Sequence, residues 1–97
     1  MNNFQKENEM TLNEAYKDAQ VAIANLKSLV RTVLELAPSD GLKNSEIGRS
    51  LGIYSGHVEH EGHISRTLLA MLEADGVAIQ DPVTKKWQLR DNGIIDR

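Results

Sequence analysis

From Leu12 onward, apolar side chains recur at Leu12, Tyr16, Ala19, Ile23, Leu26, Val30, Val33 and Ala37, at alternating intervals of four and three. Ala15, Ala22, Leu29 and Leu36 add a second line seven residues apart. Three apolar positions per heptad make a stripe wider than a bare coiled-coil seam, and this predicts a helix that covers a core. Thr11 serves as its N-cap, with Glu14 three residues on completing a capping box. Pro38, followed by Ser39, Asp40 and Gly41, ends it. A helix of about 25 residues is roughly 38 Å long at about 1.5 Å per residue, against a radius of gyration near 13 Å for a domain of this size. Its N-terminal part therefore overhangs the core. The stripe Leu12, Tyr16, Ala19, Ile23, Leu26 and Val30 is expected to pair with a second copy, giving a homodimer through the first helix. Residues 1–11, MNNFQKENEMT, are polar and aperiodic and read as a loose tail, and residues 12–97 read as one domain.

Leu42 to Leu51 (LKNSEIGRSL) reads as a short second helix, with Leu42, Ile47 and Leu51 inward and Gly52 at its C-terminal end. Asn44 is its expected cap by residue type. Ile53 to Glu61 has no clean period and reads as a loop with room for one helical turn. A third helix starts after Gly62, with Ile64, Leu68, Met71 and Leu72 on its inner face and Leu69 at the margin. Arg66, Ala70 and Glu73 lie opposite, flanked by His63 and Thr67. It ends at Asp75-Gly76. Val77 to Gln80 then alternates with period two, Asp81 to Thr84 is a turn, and Trp87 and Leu89 alternate inward, which together predict a β-hairpin. Ile94 and Ile95 in the tail DNGIIDR are expected to close over the core or over a partner. The fold class is mainly α with a small β-hairpin, α+β.

Composition narrows the function. The chain has 97 residues, 40% of them hydrophobic and 26% charged, which suits one soluble domain with a modest core. No apolar run approaches the ~20 residues of a membrane span, and no signal-peptide pattern opens the chain. The absence of cysteine excludes disulfides, thiolate catalysis and cysteine-based zinc sites, and fits a cytoplasmic address. The net charge of −3 argues against coating nucleic acid by bulk charge. Only residues 76–97 are net positive, with four basic and three acidic side chains, so a nucleic-acid contact would lean on that end.

The order long helix, short helix, loop, helix and hairpin resembles the winged helix-turn-helix family, in the form found in bacterial transcriptional regulators. The resemblance covers roughly residues 12–90. It is carried by GLKNSEIGRSLGI as second helix and turn, and by HISRTLLAMLEADGVAIQDPVTKKWQLR as recognition helix, glycine and wing. The sequence departs from the family at Gly52 to Glu61, about ten residues where the usual turn has three or four, and this puts the docking geometry in doubt. The family resemblance implies double-stranded DNA as partner. It sets the recognition helix in the major groove, with His63, Ser65, Arg66 and Thr67 at its outward N-terminal positions. Arg66 has the guanidinium that pairs bidentately with guanine, and Ser65 and Thr67 suit phosphate, as do the N–H groups near Gly62. Lys85, Lys86 and Arg90 of the wing, with Lys43 and Arg49 of the second helix, would hold the backbone or reach the minor groove. Glu59 and Glu61 oppose such contact.

Two other chemistries are weighed. His57, His60 and His63 form H-x2-H-x2-H with Glu59 and Glu61 between them, a donor set that suits zinc. Histidines in a glycine-containing loop ordinarily face solvent, so no metal and no cofactor is expected. Catalysis finds no nucleophile–base arrangement, paired carboxylates or phosphate loop, so the chain is not expected to be an enzyme. Trp87 reads as an anchor of the hairpin to the core. The second functional reading is a winged-helix protein-interaction or accessory module without direct DNA binding. The acidic balance favours it, and GHVEHEGHISRTLL faintly resembles small winged-helix modules associated with bacterial restriction endonucleases.

Overall fold

The computed structural model describes residues 11–55 and 61–90. It contains three helices, α1 (Leu12–Glu35), α2 (Asn44–Ser50) and α3 (His63–Ala74), followed by strands β1 (Ala78–Gln80) and β2 (Trp87–Leu89). The strands pair antiparallel, Ala78 with Leu89, Ile79 with Gln88 and Gln80 with Trp87. This is the expected α+β class.

Each helix starts and stops for a local reason. At α1 the capping box is formed: Thr11 accepts from the Glu14 N–H at 3.1 Å, and Glu14 accepts from the Thr11 N–H at 3.0 Å. Both α2 and α3 end in the same glycine motif. After α2, the N–H of Gly52 donates to Arg49 O and that of Ile53 to Gly48 O; after α3, Gly76 donates to Glu73 O and Val77 to Leu72 O. Both glycines have positive φ, +72° and +79°, the left-handed conformation that this pair of bonds requires. The chain thus leaves α3 already turned toward β1.

The core gathers Val30 and Leu34 of α1, Ile47 of α2, Leu68, Leu69 and Leu72 of α3, and Ala78, Trp87 and Leu89 of the hairpin. Trp87 anchors the hairpin to this core. Helices α2 and α3 meet closely because Gly48 has no side chain: a Cβ there would lie 2.8 Å from Ser65 Oγ and 3.0 Å from Tyr54 Cβ.

Three local expectations are corrected. Leu42 lies in extended chain and not in α2: it forms an isolated antiparallel bridge with Trp87, exchanging both backbone hydrogen bonds. Gly41 permits this, at φ +88° with Trp87 O where a Cβ would sit. Asn44 does not cap α2. The N-cap position is Lys43, whose N–H donates to Glu46 Oε1 at 2.8 Å, while Asn44 is the first helical residue and its amide reaches Gly62 O at 3.3 Å. The inner face of α3 is turned toward Ser65 and Leu69, both fully buried, and Ile64 is 44% exposed. Gly48 explains the turn: the close approach of α2 draws the Ser65–Leu69 side inward. Ile94 and Ile95 and most of the long loop lie outside the described residues.

Candidate nucleic-acid interface

Helix α3 offers two unlike sides. Ser65, Leu68, Leu69 and Leu72 are buried, whereas His63, Arg66, Thr67, Ala70, Glu73 and Ala74 are exposed. The exposed strip ends in the cation and small polar groups at the N-terminal turns and carries only alanines and one carboxylate further on.

The start of α3 is held from three directions. Gly62 occupies the N-cap with φ +83°, and no side chain caps the helix there. Asn44 donates to Gly62 O from α2, and its Oδ1 is buried without a hydrogen-bond partner. Tyr54 packs beside both Gly48 and Gly62; a Cβ at Gly62 would lie 2.7 Å from its ring and 2.6 Å from the Asn44 amide. Over that ring, 4.6 Å from its centroid, sits the Arg49 guanidinium. Arg66 donates through Nη2 to Glu61 O at 3.1 Å. Arg49 and Arg66 thus both rest on the segment that leads into α3, one on its aromatic ring and one on its backbone.

The hairpin cations behave differently. Lys85, at the turn, is exposed and holds φ +68°. The turn is fixed by Asp81, which accepts from the Val83 and Thr84 N–H groups at 2.7 and 2.9 Å, and these bonds hold its carboxyl below the usual carboxylate range. Lys86 points back to Asp40, with Nζ 2.8 Å from Oδ2. That hydrogen bond and the opposite charge lower the Asp40 pKa and raise that of Lys86. Arg90 is exposed, its N–H donating to Val77 O, and Lys43 is exposed at the start of α2.

The expected site is therefore partly rearranged. Ser65 is removed from it: its side chain is 0% exposed and its hydroxyl donates inward to Gly62 O at 3.3 Å, so it cannot reach a phosphate. Lys86 is engaged by Asp40. His63, Arg66, Thr67, Lys43, Arg49, Lys85 and Arg90 remain at the surface. Tyr54, which shapes the start of α3, was not singled out by sequence, and Asn44 only as a cap of α2; their roles there depend on a loop without period and on a contact across 18 residues. Of the histidine triad, His57 and His60 lie outside the described residues, and among the described residues no three His, Asp or Glu side chains gather to hold a metal.

The expected pairing stripe on α1 also changes. Leu12 (89% exposed), Tyr16 and Ala19 face solvent, while Ile23 and Leu26 are half-buried beside α3. Val30 is 0% exposed and packs into the chain's own core, so it cannot meet a second copy. Among the described residues no helix is long and apolar enough to cross a membrane.

No protein-family model matches the chain, nor does any curated protein or solved structure.

Proposed function

We propose that the chain is a winged-helix domain that binds double-stranded DNA as part of a bacterial-type transcriptional regulator. In this reading α3 lies in the major groove and the β1–β2 hairpin, the wing, lies on the backbone or in the minor groove. The exposed strip Arg66–Thr67–Ala70 carries the proposal. Its low side chains at Thr67 and Ala70 let the helix approach base edges, and its cation stands at the end that leads into the groove. The Leu42–Trp87 bridge supports it as well, since it pairs the segment between the first two helices with β2 and ties the wing to the chain just before α2.

Arg66 would exchange the Glu61 carbonyl for a base edge or phosphate. Arg49, held on Tyr54, and Lys43 would contact the backbone beside α3, and Lys85 and Arg90 would do so from the wing. Ser65 has no direct role; it sets the depth of α3 against α2. The cations are few, and each phosphate contact made steepens the salt dependence by only about 0.9 in log–log slope. Modest affinity is the expectation.

The second reading, a protein-interaction module, draws on a specific observation: Glu61, just before α3, and Glu73, on it, are exposed in a chain of net charge −3. Fluorescence anisotropy with random-sequence duplex at low and moderate salt separates the two. Binding that weakens with salt is expected. Arg66→Ala should lower affinity for a selected site about 5- to 150-fold, the equivalent of about 1–3 kcal/mol. Lys85→Ala should weaken all sequences alike and reduce the salt slope by about one. No binding at low salt would turn the assignment to the protein-interaction module.

A further inference from the structure

We propose that the N-terminal half of α1 is covered by the same half of a second copy of this chain, antiparallel, crossing near Ala19 and seated in the groove between α1 and α3. This surface borders the exposed strip of α3 at His63 and Thr67, but the inference does not rest on the DNA-binding reading.

From Leu12 to Ala22, every residue of α1 but the half-buried Ala15 is exposed, and Leu12, Tyr16 and Val21 are among the large apolar side chains left in water. A helical segment of this length is marginal in water by itself, so its apolar side needs a cover. Where the stripe reaches the body of the domain it opens into a groove of about 300 Å³ lined by Ile23 and Leu26 of α1 and by His63, Ile64, Thr67, Leu68 and Met71 of α3. Beyond Leu26 the stripe turns inward at Val30. The exposed stripe is thus bounded by Leu12 at the helix start and by Leu26 at the chain's own core.

Ala19 is the midpoint of that stripe. Leu12 and Leu26 lie two helical turns either side of it, about 10 Å away. Two antiparallel copies crossing at Ala19 set each Leu12 over the partner's Leu26 and each Tyr16 beside the partner's Ala22, with Ile64 and Met71 of α3 closing the groove around them. The alanine at the crossing lets the backbones approach. The arrangement is two-fold and closes on itself, so it yields a dimer and not a fibre.

Charge favours this occupant. The margins of the stripe carry Asn13, Ala15, Gln20 and Ala22, so no charge of one copy is buried against the other. Lys27, at the next marginal position, is already paired with Asp75 at 2.6 Å. A lipid surface fits poorly, because Lys17 is offset by Glu14 and Asp18 on the polar side. Leu12, Tyr16, Ile23, Leu26, Ile64 and Met71 together expose at most roughly 650 Å² per copy, the low end of a stable interface.

The test uses the full chain. Sedimentation from low to high micromolar concentration should give twice the 10.8 kDa chain mass. Ala19→Arg, at an exposed site, should keep the helix content and weaken association at least about a hundredfold. The chain contains no cysteine, so single cysteines report register. Oxidised Ala19→Cys should form a covalent dimer, and Lys17→Cys, on the far side of α1, should not. A monomer at high micromolar concentration, an Ala19→Arg variant that associates like the parent, or equal cross-linking of the two cysteine variants would each overturn the proposal. Loss of DNA binding would leave it untouched, since mass is read without DNA.

Discussion

From Leu26 to Leu34, α1 sends its apolar positions into the domain, where Val30 and Leu34 are buried against α2, α3 and the hairpin. From Leu12 to Ala22 the same four-and-three repeat runs along a helix whose side chains stand in solvent. The two halves share one repeat and one continuous backbone, the first richer in alanine and the second in leucine and valine. They differ as well in what lies opposite. The repeat encodes a helix and a face, whereas the cover for that face is a tertiary property. Stability should therefore reside in the C-terminal half, and association in the N-terminal half.

The largest test of this contrast is truncation in each half. Leu34→Ala should cost about 2–5 kcal/mol in urea unfolding, through lost burial and the cavity left behind. Leu12→Ala, measured on dilute protein, should stay within about 0.5 kcal/mol, because its side chain touches no core. Equal losses would mean that the overhang is packed within its own chain.

Next in size is Gly41→Ala, just beyond the stable half of α1. A side chain there meets the Trp87 carbonyl oxygen and the residue holds φ +88°, so the Leu42–Trp87 bridge must open. The expected cost is about 2–3 kcal/mol, with a changed Trp87 near-ultraviolet signal.

Thr11→Ala sharpens the comparison from the other end. Losing the capping box costs a helix about 1 kcal/mol locally. Hydrogen exchange should quicken in the first turns of α1, while the urea midpoint of the dilute chain hardly moves, because those turns hold no core residue. A full shift of the midpoint would contradict the separation of the halves.

The smallest effect concerns the charges that follow α1. Asp40 is held below its ordinary 3.8 by Lys86, and Asp81 by the Thr84 and Val83 N–H groups. Their contribution is complete at neutral pH and is lost as pH falls below 3.8 through the depressed values. Lys86 is raised above 10.5, so its share persists below that value and disappears as pH rises through the higher one. Asp40→Asn should flatten both limbs slightly in thermal melts across pH. Asp40 is exposed and Lys86 is partly so, and a large change would show that the pair is more enclosed than its geometry indicates.

Much of this fold was legible along the chain because its signals are local. Thr11 and Glu14 announce α1, Gly52 and Gly76 mark the ends of α2 and α3, and the alternation around Trp87 and Leu89 gives the hairpin. The candidate site was less legible. Arg66 and Thr67 could be placed at the surface from α3's own period. Ser65 could not be removed from it, since its burial follows from Gly48 on another helix. Lys86 gave no sign of Asp40, nor Asn44 of Gly62, because such pairs join residues far apart in sequence.

By itself the sequence determined where α1 and α3 begin, where α2 and α3 end and which side chains share a face, since glycine and hydrogen-bonded caps and a 3.6-residue period act within a few residues. Only the tertiary structure decided how far α3 is rotated, that Leu42 joins the hairpin, and that the stripe of α1 divides at Leu26. Those outcomes depend on how closely two backbones approach, at Gly48 and Gly41, and on where the core runs out of surface to cover.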